Sequence, residues 1–127
     1  HRYSSATELI GSSGDIKDND IDTAPKHFGS ARVGADFAPR GVLVKTELEF
    51  VWLDEYFIDP NNDFSYSGHE LLNLRTDWTA GDSLNVSLVI TNLLDEDYAE
   101  RADFGFGQYR YFVGEPRSAV LGLRYAL

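Results

Sequence analysis

The 127-residue chain contains no cysteine and no methionine. The absence of cysteine excludes a disulfide framework and thiolate metal sites. Since no methionine stands at position 1, we expect His1 to mark an internal cut or a processed product. No signal peptide opens the chain, because no charged segment precedes an apolar stretch. No apolar run exceeds the four residues Phe50–Leu53, whereas a transmembrane helix needs about 20 residues, so helical spanning is excluded.

Basic residues are scarce, with 11 lysines and arginines against 21 acidic residues and a formal net charge of -10. This balance argues against a nucleic-acid partner, because the phosphates of DNA or RNA would be repelled. The chain is nevertheless 43% apolar and 13% aromatic, which opposes disorder. The length of the chain suits one domain, and we assign residues 1–127 to a single domain.

Segments of alternating apolar and polar residues separate turn-rich stretches, which predicts an all-β antiparallel meander of about six strands. The predicted strands are His27–Phe37, Val42–Tyr56, Glu70–Trp78, Leu84–Leu94 and Ser118–Leu127, with a sixth, cut strand at Arg2–Ile10. The intervening stretches are Gly11–Pro25, Ala38–Gly41, Asp59–Asp63, Thr79–Ser83 and Ala99–Arg117. These connections alternate long and tight, as in outer-membrane barrels with short periplasmic turns and long outer loops.

Aromatic residues gather at the strand ends, which is typical of two interfacial girdles in a membrane barrel. Phe37, Trp78 and Tyr125 lie beside tight turns or the C-terminus, and Trp52 and Tyr56 lie beside a long loop. Five or six strands are too few to close such a barrel, which starts at about eight. The pattern therefore predicts either part of a larger transmembrane barrel or a small soluble barrel.

Four ordered motifs resemble segments of TonB-dependent outer-membrane receptors. The strongest is Asn92-Leu93-Leu94-Asp95-Glu96-Asp97-Tyr98, in which Leu94 replaces the family's usual phenylalanine. The others are Gly114–Arg117, Ile21–His27, and a tyrosine, aspartate and asparagine at positions 56, 59 and 62. The resemblance implies the C-terminal part of a plugged barrel of about 22 strands, with the plug and earlier strands outside this chain.

The family resemblance also implies a function and a location. Such receptors import scarce solutes, such as a ferric siderophore, haem or cobalamin, and TonB drives uptake through the plug. The expected location is the outer membrane of a Gram-negative cell, with its lipid and lipopolysaccharide as neighbours. The residues Gly122, Tyr125 and Leu127 resemble the C-terminal signal read by the barrel-assembly machinery, although Leu127 replaces the usual phenylalanine.

An aromatic and cationic cluster in the last long loop is the candidate ligand site. Its members are Tyr98, Arg101, Phe104, Phe106, Tyr109, Arg110 and Tyr111. Stacking and charge pairing would let these side chains contact an imported, anionic small-molecule chelate. Packing of the loop onto its neighbours is the alternative. Charges on the polar strand faces are expected to pair across strands: Arg32, Asp36, Lys45, Glu47, Glu49, Arg75, Asp77 and Arg124.

Other motifs carry no chemistry of their own. No nucleophile elbow, phosphate loop or paired-histidine spacing is present, so we expect no catalysis, no cofactor and no resident metal. Asp59, Asn61, Asp63, Ser65 and Glu70 match calcium-loop spacing. However, Phe64 occupies the position that needs glycine, which favours a solvated turn.

A soluble up-and-down barrel that binds a small apolar ligand, similar to a lipocalin, is the alternative function. It would enclose the apolar side chains Val44, Leu48, Phe50, Leu72, Leu88 and Leu123. The two hypotheses differ in one simple property. A soluble barrel would refold in plain buffer, whereas a receptor segment with open edges would aggregate without detergent.

Overall fold

The structure, a computed structural model, describes residues 18–126. These residues form nine strands and one short 3-10 turn, Pro39–Gly41. The strands are β1 Phe28–Phe37, β2 Val42–Leu53, β3 Tyr56–Phe57, β4 Ser65–Tyr66, β5 His69–Ala80, β6 Leu84–Thr91, β7 Ala99–Gly105, β8 Gln108–Val113 and β9 Ser118–Tyr125. The predicted strand Arg2–Ile10 and the terminal Leu127 lie outside the described residues.

Five strands form one sheet in the order β1-β2-β5-β6-β9, which follows the chain. The pairs β5–β6 and β6–β9 are antiparallel and continuous, from Leu74↔Ile90 to Ala80↔Leu84 and from Leu84↔Tyr125 to Thr91↔Ser118. The predicted all-β antiparallel meander is therefore confirmed. Its five predicted strands within the described residues correspond to these five.

Two hairpins were missed by the sequence analysis. Strands β7 and β8 occupy most of the segment predicted as a long loop, Ala99–Arg117, and β3 pairs with β4 where the predicted strand Val42–Tyr56 was to end. Gly105, Gly107 and Gly114 within Ala99–Arg117 suggested a loop. In the structure they lie at the hairpin turn and strand ends, where glycine does not interrupt pairing.

The described residues divide into two compact units. The first unit comprises residues 18–29, Trp52–His69 and Asp97–Gly114, and the second comprises Ser30–Val51, Glu70–Glu96 and residues 115–126. Among residues 18–126, no helix has both the length and the apolar character that a membrane span requires.

The second unit is a sheet with two chemically different faces. Residues paired directly across strands share a face. One face is apolar across β5, β6 and β9: Leu74, Trp78, Leu84, Val86, Leu88, Ile90, Leu121, Leu123 and Tyr125. Thr46 and Thr76 add a polar pair on this face, where their hydroxyls share a hydrogen bond at 3.0 Å.

The opposite face of the second unit is polar and internally paired. Arg32 contacts Glu49 at 2.6 Å, and Glu49 also accepts a hydrogen bond from Asn73 at 3.1 Å. Two further ion pairs, Lys45–Asp36 at 3.5 Å and Arg75–Asp77 at 3.1 Å, lie on this face. The expected pairing across strands is found for Arg32–Glu49 and Lys45–Asp36, whereas Arg75 and Asp77 lie two residues apart on the single strand β5.

The first unit has a small core built around Tyr56, Ile58 and Ala102. The Tyr56 hydroxyl accepts a hydrogen bond from the Ala102 amide at 2.8 Å and donates one to the Ala102 carbonyl at 3.1 Å. Tyr56 is only 7% exposed. This placement differs from the expected interfacial aromatic, because Tyr56 uses its ring and hydroxyl to hold β7 in place.

Candidate functional site

The hairpin β7–β8 carries most of the candidate ligand residues. Its register pairs Ala102 with Tyr111, Asp103 with Arg110, and Phe104 with Tyr109. The ladder closes at Gly105↔Gln108, so the turn consists of Phe106 and Gly107 alone. Both turn residues have positive φ, 54° for Phe106 and 77° for Gly107, as a type I′ turn requires.

One face of this hairpin carries an ion-pair triad centred on Asp103. The Asp103 side chain is buried, and its Oδ1 lies 2.6 Å from Arg110 Nη2 and accepts a hydrogen bond from Arg110 Nε at 2.7 Å. Arg101 Nη2 lies 2.6 Å from Oδ2 as an ion pair without hydrogen-bond geometry, since Oδ2 accepts no hydrogen bond. Both predicted arginines are thus brought together, and one carboxylate partly neutralises them.

Guanidinium groups also lie over the aromatic rings of the hairpin. Arg101 lies 5.8 Å from the centre of the Phe112 ring, and Arg110 lies 5.6 Å from Phe106 and 5.9 Å from Phe112. These are cation–π distances. Phe112 was not among the predicted site residues. Its alternation with Arg110 on the same strand would have identified it, had the segment been predicted as a strand.

The other face is aromatic. The Tyr109 ring lies between the rings of Phe64 and Phe104. Its centre is 4.4 Å from the centre of the Phe64 ring and 5.0 Å from that of the Phe104 ring. Partial desolvation of the hydroxyl, and then the nearby Asp59 and Asp63 carboxylates, raise the pKa of the half-exposed Tyr109. The group therefore remains a neutral phenol that can donate a hydrogen bond. Phe104, Tyr109 and Tyr111 are all exposed on this face.

Tyr98, the remaining predicted site residue, lies at the base of the hairpin rather than on the exposed aromatic face. Its ring packs against His69 in a tilted arrangement with the ring centres 4.6 Å apart, and its carbonyl accepts a hydrogen bond from the Gly114 amide at 2.9 Å. His69 Nδ1 lies 3.0 Å from the Tyr66 hydroxyl, which also accepts a hydrogen bond from the Ala99 amide at 3.1 Å. Tyr98 and His69 therefore hold the two ends of the hairpin together.

We expect the base of the hairpin to loosen as the pH falls. Burial lowers the pKa of His69 below its ordinary value, so folding favours the neutral ring. The stability from this site is complete above the unfolded pKa of about 6.5 and is lost as the pH falls through that value toward the lowered one. Hydrogen exchange should show a lower protection factor for the Ala99 amide at pH 5 than at pH 7.5. The variant His69→Gln should remove this pH dependence, and an equal dependence in that variant would contradict the assignment.

The turn with calcium-loop spacing is stabilised by its own backbone. The carboxylate of Asp59 accepts hydrogen bonds from the amides of Asn61, Asp63 and Phe64 at 3.2, 3.3 and 2.9 Å. Both carboxylate oxygens are occupied in this way, which is the usual role of aspartate in a turn. Within residues 18–126, no group of three or more His, Asp or Glu side chains is placed to hold a metal ion.

A cleft of about 660 Å³ in the first unit is lined by charged residues that already have partners. Lys26 lies 2.6 Å from Asp20, and His27 lies 2.8 Å from Asp54. A ligand in this cleft would have to compete with these contacts.

The motif that begins at Asn92 joins β6 to the start of β9. Asn92 is 3% exposed with φ 50°. Its side chain donates to the carbonyls of Glu96 and Glu115 at 2.9 and 3.2 Å and accepts from the Glu96 amide at 2.8 Å. Asp95 accepts a hydrogen bond from the Arg117 amide at 3.0 Å. Asn92 and Asp95 thus hold the Gly-Glu-Pro-Arg segment beside the end of β6.

Two of the three residues of the C-terminal signal lie on opposite faces of β9. Gly122 pairs with Ser87 on the polar face, where a β-carbon would approach Ser87 Oγ too closely. Tyr125 pairs with Leu84 on the apolar face and is exposed. The third residue, Leu127, lies outside the described residues.

Comparison with known proteins identifies the fold. No family model and no curated protein matches the sequence. Solved structures do match. The siderophore receptor PiuA from Acinetobacter baumannii has a TM-score of 0.74 at 19% identity over 91% of this chain. The ferric yersiniabactin uptake receptor FyuA from Yersinia pestis has a TM-score of 0.73 at 17% identity over 87%.

The ferric preacinetobactin receptor BauA from Acinetobacter baumannii has a TM-score of 0.70 at 18% identity over 94% of this chain. The fold is that of a segment of these receptors. The chain spans only 17%, 16% and 17% of the FyuA, PiuA and BauA chains, so the receptor fold is matched here in part.

Proposed function

We propose that residues 1–127 are the C-terminal strands of a TonB-dependent outer-membrane receptor. The strands of the second unit form barrel wall, with the apolar face toward lipid and the polar face toward the lumen. The hairpins of the first unit supply extracellular loops. This chain takes part in uptake without catalysis, and TonB acts through a plug that lies elsewhere in the receptor.

The observation that most strongly supports this proposal is that β5, β6 and β9 have one apolar face and one polar face. Leu121, Leu123 and Tyr125 are exposed on the apolar face, whereas a soluble sheet would bury such a face against a core. The apolar face is suited to contact the hydrocarbon of a membrane, and the ion-paired opposite face is suited to contact water. Phe37, Trp78 and Tyr125 fit the girdle near the tight turns, and Trp52 fits the girdle at the other end of its strand.

The matched solved structures support a ferric chelate as the imported solute. All three are described as siderophore or ferric-chelate receptors. The exposed aromatic rings and the guanidinium groups of β7–β8 are the side chains of this chain best suited to contact such a solute. Gly122, Tyr125 and Leu127 would serve recognition by the barrel-assembly machinery, and exposed acidic side chains would meet lipopolysaccharide through divalent cations.

Site-directed spin labelling tests the membrane assignment, because the chain contains no native cysteine. Val120→Cys and Leu121→Cys form a matched pair, since both positions are apolar and exposed but lie on opposite faces. In the receptor reconstituted in liposomes, the label at 121 should be accessible to lipid-soluble oxygen. The label at 120 should instead be accessible to a water-soluble nickel chelate.

The soluble-barrel alternative predicts a different result. Its apolar face is enclosed, so the label at 121 would be shielded from both quenchers and the protein would not associate with liposomes. That result would contradict the proposed receptor function.

A further inference from the structure

The geometry points to an uncharged ferric chelate with an aromatic ring as the solute, held by the tip of the β7–β8 hairpin. This inference rests on the proposed function and deepens it, because it names the charge and the chemical class of the solute. It differs from the expectation that the two arginines select an anionic chelate.

The first reason is the conformation of Phe106. It occupies the first position of a two-residue turn at φ 54°, where asparagine is strongly favoured and an aromatic residue is strained. Its side chain is 97% exposed. An aromatic ring that packs into no core, contacts only the Arg110 guanidinium among the contacts described above, and stands exposed at the tip of a hairpin is suited to contact a molecule from outside.

The second reason is the chemistry around Phe106. The Arg110 guanidinium lies over the Phe106 ring while its charge is paired with Asp103. The exposed rings of Phe104, Tyr109 and Tyr111 lie on the opposite face of the hairpin. The hairpin therefore offers ring stacking and a phenol donor, and Asp103 partly neutralises its two arginines.

The third reason is the charge of the first unit as a whole. Among its described residues, ten are aspartate or glutamate and three are lysine or arginine, which leaves a formal charge of −7 with histidine neutral. Such a surface lowers the local concentration of anions and repels a multiply charged anionic complex. An uncharged complex with an aromatic ring avoids this repulsion and retains the stacking contacts.

Three iron(III) complexes of small chelators test the inference on the intact receptor. The benzohydroxamate complex is uncharged and aromatic, the acetohydroxamate complex is uncharged without rings, and the catecholate complex is aromatic and strongly anionic. Equilibrium binding should rank benzohydroxamate first. Acetohydroxamate should bind about tenfold more weakly, because it lacks ring burial. Catecholate should gain affinity as salt screens the acidic surface.

The variant Phe106→Asn tests the tip directly. Asparagine relieves the backbone strain, so the hairpin should become more stable, yet the benzohydroxamate complex should bind about tenfold more weakly. Binding of acetohydroxamate should not change. Arg40→Asn is the matched control, because Arg40 and Gly41 form a tight turn with φ values of 52° and 82° in the second unit. This control should relieve similar strain and leave all three affinities unchanged.

The variant Asp103→Asn tests the charge class. Without the carboxylate, Arg101 and Arg110 lose their shared counter-charge, so affinity for the catecholate complex should rise severalfold. If the native receptor prefers catecholate, or if Phe106→Asn leaves every affinity unchanged, the inference is wrong while the receptor function stands. If no ferric complex binds at all, both this inference and the proposed uptake of a ferric chelate are wrong.

Discussion

Replacing Leu121 by arginine is expected to reduce the free energy of unfolding of the membrane-inserted protein by about 2–4 kcal/mol. Leu121 is the fourth residue of the eight-residue strand β9 and pairs with Leu88 on the apolar face. In the proposed barrel wall, a mid-strand position lies near the middle of the bilayer, where a guanidinium group has no water. Urea titration in liposomes, followed by tryptophan fluorescence, would measure the change.

The adjacent substitution Val120→Arg is the matched control. Val120 pairs with Val89 on the polar face, so its new arginine would project into an aqueous lumen. We expect a change below about 1 kcal/mol, as is usual for exposed positions. Equal losses for both variants would mean that the two faces meet the same environment, which would contradict the membrane assignment.

Replacing Asn92 by alanine is expected to cost about 3 kcal/mol or more. The substitution would leave the Glu96 amide and the carbonyls of Glu96 and Glu115 without their side-chain partner in a partly buried site. Alanine is also unfavourable at φ 50°, a value that asparagine tolerates. The same urea titration would report the loss, and hydrogen exchange should locate it at the Glu96 amide.

Leu94→Ala is the control within the same motif. Leu94 is 69% exposed, although the resemblance places an aromatic residue at this position. We expect a loss below about 1 kcal/mol. A larger loss at Leu94 than at Asn92 would show that burial of the apolar side chain, and not the hydrogen bonds of asparagine, stabilises the motif.

The strands of the second unit could be predicted from the sequence, because the alternation of apolar and polar residues with period two is a local signal. Val86, Leu88 and Ile90 alternate with Asn85 and Ser87, and the structure places these two sets on opposite faces. The register itself was not predictable. It depends on pairing between distant strands and on the hydrogen bonds of residues such as Asn92.

The first unit could be predicted less well, since its hairpins combine breakers with strand residues. Gly105 and Gly107 signalled a loop, although Phe106 and Gly107 together form a turn that continues the ladder. The candidate ligand residues were identified because they are aromatic or cationic. Their arrangement depends on Asp103, whose burial and pairing with two arginines cannot be inferred from spacing.

The neighbouring positions Val120 and Leu121 have a consequence for how this sequence can change over time. Under the proposed function, the requirement on each strand is one of parity: every second residue must suit hydrocarbon, and many side chains satisfy it. Identity can therefore fall below 20% while the fold persists, as in the match to PiuA. A single-residue deletion within a strand is a different kind of change, because it exchanges the two faces of everything up to the next turn. Insertions and deletions should consequently accumulate in the hairpins and loops, whereas the strands should vary by substitution.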